Sequence, residues 1–140
     1  MNIVLKPCWA DTMSIRAFAK KAGVPTTTIF RWCEEFSPLA ASYLTLCVIL
    51  GVSPQDILDG KTRELVELKG LSIVEVCFAC GFDPFSFCRV SSGDRTPNVL
   101  VHLNSLYKIY GSFEPLFDVN QVRKNVMKRL NRIEALLATS

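Results

Sequence analysis

The chain has 140 residues, 49% of them hydrophobic, and a formal net charge of +3. That is enough apolar material for one domain, or two very small ones, to bury a core without disulfides, and too little charge to mark a general binder of polyanions. The longest apolar stretch, residues 39–52, is interrupted by Ser42 and Thr45 and falls short of the roughly 20 residues that span a bilayer, so no membrane partner is expected.

The charge is unevenly placed. Lys6, Arg16, Lys20, Lys21 and Arg31 stand against Asp11 alone in residues 1–31, and residues 32–60 carry only acids. Residues 61–117 balance, and Arg123, Lys124, Lys128, Arg129 and Arg132 outnumber Asp118 and Glu134 at the end of the chain. Six cysteines beside an opening "MNIVLKPCWADT" without an export signal read as free thiols in a reducing bacterial cytosol or nucleoid.

In chain order, Ser14 is placed to cap a helix whose apolar positions Ile15, Phe18, Ala19 and Ala22 recur at helical spacing, and Gly23 ends it. Pro25 fits the first position of the next helix, in which Ile29, Trp32 and Cys33 form an apolar stripe. After Ser37-Pro38, Leu39, Tyr43, Leu46, Cys47 and Leu50 outline a longer amphipathic helix that stops at Gly51. Ser53-Pro54 then opens a brief one ending near Leu58.

The second half repeats this plan. Residues 61–69 supply a leading helix, which the first half has lost or much reduced. Ser72, Ile73 and Gly81 answer Ser14, Ile15 and Gly23; Leu106, Ile109 and Gly111 answer Leu46, Ile49 and Gly51; a two-residue insertion in "SSGDRTP" shifts the register between them. Residues 113–117 are expected to form the brief closing helix. Residues 119–138 read as a final helix with Val119, Val126, Leu130, Ile133 and Leu137 along a seam that Arg123 interrupts. That helix is placed either to dock on the repeats or to pair with another copy. The expected class is all-α: repeats over residues 1–60 and 61–117, and a C-terminal docking or dimerisation helix over 118–140.

A helix, a glycine turn and a second short helix, with a small residue (Ala19) where the two cross, meet the requirements of a helix-turn-helix unit. "SIRAFAKKAGVPTTTIFRW", followed by "YLTLCVILGVSPQDIL", resembles the phage-repressor and Cro class of DNA-binding domains, in tandem with a degenerate second copy. Ile15 departs from that class, where a glutamine that grips phosphate is usual. The resemblance implies a recognition helix over residues 26–32, with Thr26, Thr27, Thr28 and Arg31 toward the major groove of double-stranded DNA, and Arg16, Lys20 and Lys21 on phosphates. Arginine takes guanine edges bidentately and threonine offers a hydroxyl and a methyl, so Arg31 is the leading candidate for base reading.

The second copy offers a different surface: Pro84, Phe85, Ser86, Cys88 and Arg89 face out, and Glu75 sits on its first helix. Apolar surface of that kind is normally covered by protein, so Phe85, Cys88, Val126, Leu130, Ile133 and Leu137 are the candidate protein-interaction residues. A competing expectation makes this copy a second DNA reader through Arg89 and Arg95. Cys77 and Cys80 read as core packing, since a structural zinc site needs four ligands and only Cys88 and His102 are near in sequence. His102 reads as surface or core.

No phosphate-binding glycine loop, nucleophile elbow or histidine pair is present, so no enzyme activity, metal or cofactor is expected. The expected function is sequence-specific transcriptional regulation of bacterial, phage or mobile-element type, as a repressor and homodimer. The alternatives are a protein-interaction module, antirepressor or adaptor on the same scaffold, and a mercury-regulator or excisionase-like winged helix, which the helical pattern of residues 46–58 disfavours.

Overall fold

The computed structural model describes residues 3–93 and 96–139, with side chains to residue 131. Among the described residues the protein is all-helical, with nine helices and no strand: α1 Ile15–Ala22, α2 Thr26–Glu34, α3 Pro38–Leu50, α4 Pro54–Leu58, α5 Thr62–Leu68, α6 Ile73–Cys80, α7 Pro84–Ser91, α8 Asn98–Tyr110 and α9 Val119–Thr139. No single one of them is long and apolar enough to cross a membrane.

Local chemistry accounts for the first pair. Ser14 accepts a hydrogen bond from the Ala17 amide at 3.1 Å and starts α1. Gly23, at φ 71°, takes the left-handed conformation that closes it, donating to the Ala19 and Lys20 carbonyls. Phe18, Ala19, Ala22, Val24, Ile29 and Trp32 are all buried, so α1 and α2 meet across the expected seam with Ala19 at the crossing. Full burial of side chains such as Phe18 and Ile29 contributes about 1.5–3 kcal/mol each. The leading helix of this half is reduced to turns at residues 8–12, from which Trp9 stacks on Phe18 at 4.3 Å. An extended strap from residue 3 runs back over the pair: the Leu5 amide donates to the Trp32 carbonyl at 2.9 Å, and the Lys6 amide to the Leu116 carbonyl at 2.7 Å.

The repeat is visible in the helix bounds. α6 and α7 begin 58 residues after α1 and α2 (73 minus 15, 84 minus 26), and α8 spans the same 13-residue length as α3, 60 residues on (98 minus 38). Gly81 sits at φ 80°, as Gly23 does at 71°.

The two halves do not pack as separate bundles. α3 lies against α6, α8 and α9, while α8 lies against α4, α3 and α1, so each long helix supports the other half's glycine-turn pair. The side chains cross in the same way: Trp32 meets His102, Phe36 meets Phe117 at 4.9 Å, and Tyr43 meets Phe82 at 4.9 Å. Asn104 donates to the Gln55 side chain at 2.9 Å across the junction. One continuous hydrophobic cluster runs from Leu5 to Val122.

Four sequence expectations need correction. Pro25 is the residue before α2, not its first position; its extended backbone (ψ 138°) leads into the helix from outside. Residues 113–117 close as turns, with the Leu116 and Phe117 amides donating to the Phe113 carbonyl, and not as a helix. Leu39 is 43% exposed, while Ala40 and Leu44 are fully buried, because α3 is covered on several sides and its buried set is broader than one stripe. On α9 the inward residues are Val119, Val122 and Val126, so Val126 is packed inside against α3 and α6 and is not available to a partner.

Candidate nucleic-acid interface

The outward surface of the α1–α2 unit assembles the residues expected from the sequence. Arg16, Lys20 and Lys21 are exposed on α1, and Thr27 and Arg31 on α2; Thr26 and Thr28 are half-buried at its start. Thr27 and Arg31 lie four positions apart and therefore share a face, as do Arg16 and Lys20. None of the four cations, Arg16, Lys20, Lys21 and Arg31, forms an ion pair with another described residue. The threonines neither turn into the core nor lie beneath the other half.

Electrostatics separates this unit from its copy. Neither α1 nor α2 has an acidic residue in its first turn, and α2 has no side-chain cap at all, so its N-terminal amides and their dipole face outward uncompensated. Both helices of the copy are capped by carboxylates. Ser72 and Glu75 form a reciprocal capping box on α6, and Asp83 accepts from the Ser86 amide at 3.2 Å on α7.

The equivalent side chains are exchanged as well. At the offset of 58 (81 minus 23), Arg16 is replaced by Val74, Lys20 by Phe78 and Thr27 by Phe85, while Arg31 keeps its character as Arg89. Val74 is 78% exposed, Phe78 48% and Phe85 83%. Lys21 becomes Ala79, which is buried where α9 packs on α6, and its carbonyl accepts from Arg129 Nη1 at 2.7 Å. The second unit is thus apolar outside and partly roofed.

Of the interaction candidates, Phe85 and Cys88 are exposed as expected, and Leu130 is half-buried in a hollow beside Ile49, Leu71 and Val76. Ile133 and Leu137 have side chains outside the described residues, and Arg95 lies outside them altogether.

Sequence reasoning missed Phe30. It is 56% exposed and, with Ile15, Thr26, Thr27, Arg31 and Glu34, lines an open hollow of about 380 Å³ beside the expected recognition surface. Its spacing, four from Thr26 and three from Thr27, would have placed it there. Ile15, at the start of α1, closes one side of this apolar hollow.

The cysteines do not assemble a metal site: among the described residues no three histidine, cysteine or acidic side chains group to hold an ion. Cys47, Cys77 and Cys80 are buried. Burial pushes the Cys80 thiol up to about 12, aided by Cys77 and opposed by Arg129, and raises Cys47 still further. His102 is half-buried against Trp32, and burial lowers its pKa.

Compared with protein-family models, with curated proteins and with solved structures, the chain has no significant match.

Proposed function

We propose that the protein is a sequence-specific DNA-binding transcriptional regulator of the phage-repressor and Cro type, acting as a repressor by occluding a promoter in a bacterial, phage or mobile-element setting. The observation that carries this reading is the α1–α2 unit: a glycine-turned helix pair that presents Thr27 and Arg31 on one exposed face, with Arg16, Lys20 and Lys21 unpaired beside them. In this reading α2 lies in the major groove. Arg31 takes a guanine edge, Thr27 reads a base or a phosphate, and the α1 cations position the protein on the backbone. The uncapped start of α2 adds amide donors and dipole to the same polyanion. Phe30 supplies an apolar contact suited to a thymine methyl. Glu34 and Glu35 lie at the far end of α2, which bounds how much of that helix enters the groove.

A second reading, a protein-interaction module or adaptor on the same scaffold, is favoured by one specific observation: the hollow beside Phe30 is mainly apolar. Selection of bound fragments from a random DNA pool, followed by titration of the selected site, separates the two. The DNA-reading proposal expects a defined site that Arg31→Ala weakens and Lys20→Ala makes less salt-dependent. Failure to enrich any sequence, with neither substitution changing DNA affinity, would overturn it in favour of the adaptor.

A further inference from the structure

We infer that the outward face of the second glycine-turn unit, centred on Phe85 and Val74, is the surface through which two copies of this chain form a two-fold dimer. Four of the nine exposed large apolar side chains in the described protein, Leu68, Val74, Phe78 and Phe85, fall within residues 68–85. Val74 and Phe78 are one turn apart on α6, and Phe85 projects from the first turn of α7, which packs on α6. Arg63 Nη2 approaches Cys88 Sγ at 3.9 Å, which ties α5 to the same side of α7.

Size and charge both favour a second copy as occupant. With an aromatic side chain worth about 150–250 Å², these four together expose on the order of 500 Å² of apolar surface across α5, α6 and α7, as much as the largest patch on a typical monomer. A standard interface takes about 800 Å² from each partner, so this patch with its polar surround is the size of one isologous half. The exposed charges between residues 63 and 89 are Arg63, Lys69 and Arg89 against Glu64, Glu67 and Asp83. With the half-buried Glu75 the set is within one charge of balance, so groups of opposite sign are available to meet across a two-fold axis, and the face asks for neither a strongly basic nor a strongly acidic partner. A nucleic acid is disfavoured for the same reason, and by the replacement of Arg16 and Lys20 with Val74 and Phe78. The surface is also preformed: the capping box on α6 and the Asp83 cap on α7 hold both helices in place before a partner arrives.

The dimer deepens the DNA-reading proposal by placing two copies of the α1–α2 face in one particle, as two half-sites require, and rests on that proposal only for this purpose. It is tested without DNA, by sedimentation equilibrium of the full chain from low to high micromolar concentration. The wild-type protein is expected to reach dimer mass. Phe85→Glu and Val74→Glu are each expected to raise the dissociation constant at least about thirty-fold, as loss of a central interface residue does, with the far-ultraviolet spectrum unchanged. Met127→Glu, on the exposed side of α9, should leave the mass unaltered. A short bis-maleimide should join two chains through Cys88, and Cys88→Ser should abolish the product. The inference is overturned by a monomer at every concentration, by a Phe85→Glu variant that dimerises as before, or by dissociation through Met127→Glu instead. Arg31→Ala serves to tell the two proposals apart: lost DNA binding at unchanged mass keeps both, and unchanged DNA binding removes the DNA reading while the dimer stands.

Discussion

The two glycine-turn units are built on one backbone plan and finished in opposite ways. Their helices keep the same lengths to within one residue, their turns close on Gly23 and Gly81, and their seams bury Phe18, Ile29, Val76 and Phe87 alike. Outside, one presents Arg16, Lys20 and Thr27 and the other Val74, Phe78 and Phe85. The difference teaches that the plan sets where side chains project and says nothing about what they meet there, so function has to be read from the face and not from the fold.

The most damaging way to probe the comparison is to attack what the two units share. Phe87→Ala, in the second half, should cost about 3–5 kcal/mol, and Ile29→Ala, in the first, about 2–5 kcal/mol. Because a single core joins the halves, each should move one common transition. Both tryptophans, Trp9 and Trp32, sit in the first half, so urea melts of Phe87→Ala followed by tryptophan fluorescence and by circular dichroism should coincide. Separate transitions would restore two independent domains.

Next in size is the contrast between the two arginines that correspond in the repeat, Arg31 and Arg89. Arg31→Ala should cost about 1–3 kcal/mol in specific DNA binding, whereas Arg89→Ala should change it by less than about 0.5 kcal/mol, measured by fluorescence anisotropy on a selected site. Equal losses would make both units readers.

The caps offer a smaller handle. Asp83→Ala should lower stability by about 1 kcal/mol by leaving the start of α7 uncapped, and should not weaken DNA binding. A melt and a titration of the same variant check both halves of that statement. Lys20→Ala should reduce the slope of log affinity against log salt by about 1, with Phe78→Ala leaving it unchanged.

The smallest expected effect is a pH dependence from His102. Burial lowers its folded pKa below the ordinary 6.5, so the unfolded chain takes up the proton first. The stability contribution is complete above 6.5 and is lost as pH falls through that value toward the folded one. Thermal midpoints between neutral and mildly acidic pH should decline less in His102→Gln than in the wild type.

Much of this comparison was legible before any coordinate. Ser14, Ser72 and the glycines mark helix ends through hydrogen bonds and backbone conformations that span only a few residues, and the two-residue insertion before α8 follows from the shift in spacing. Phe85 and Cys88 were legible as exposed because the repeat puts them at outward positions of the second short helix, Phe85 answering Thr27 at the offset of 58. Less legible was Val126, whose place on an apolar seam fits inward docking and outward pairing equally well. Phe30 was missed because Ile29 beside it already filled the apolar position that the pattern requires.

By itself, then, the sequence determined the nine helices and most of their ends, though not the turns at residues 113–117, together with the repeated spacing and the contrast between one polar and one apolar outward face, since each of these depends on short-range geometry and on side-chain chemistry. Only the tertiary structure decided which half supports which. α3 is apolar over most of its surface, and a helix with no single stripe carries no local signal for its neighbours. Its seating against α6, α8 and α9, and the roof that α9 places over Ala79, follow from packing between residues far apart in the chain.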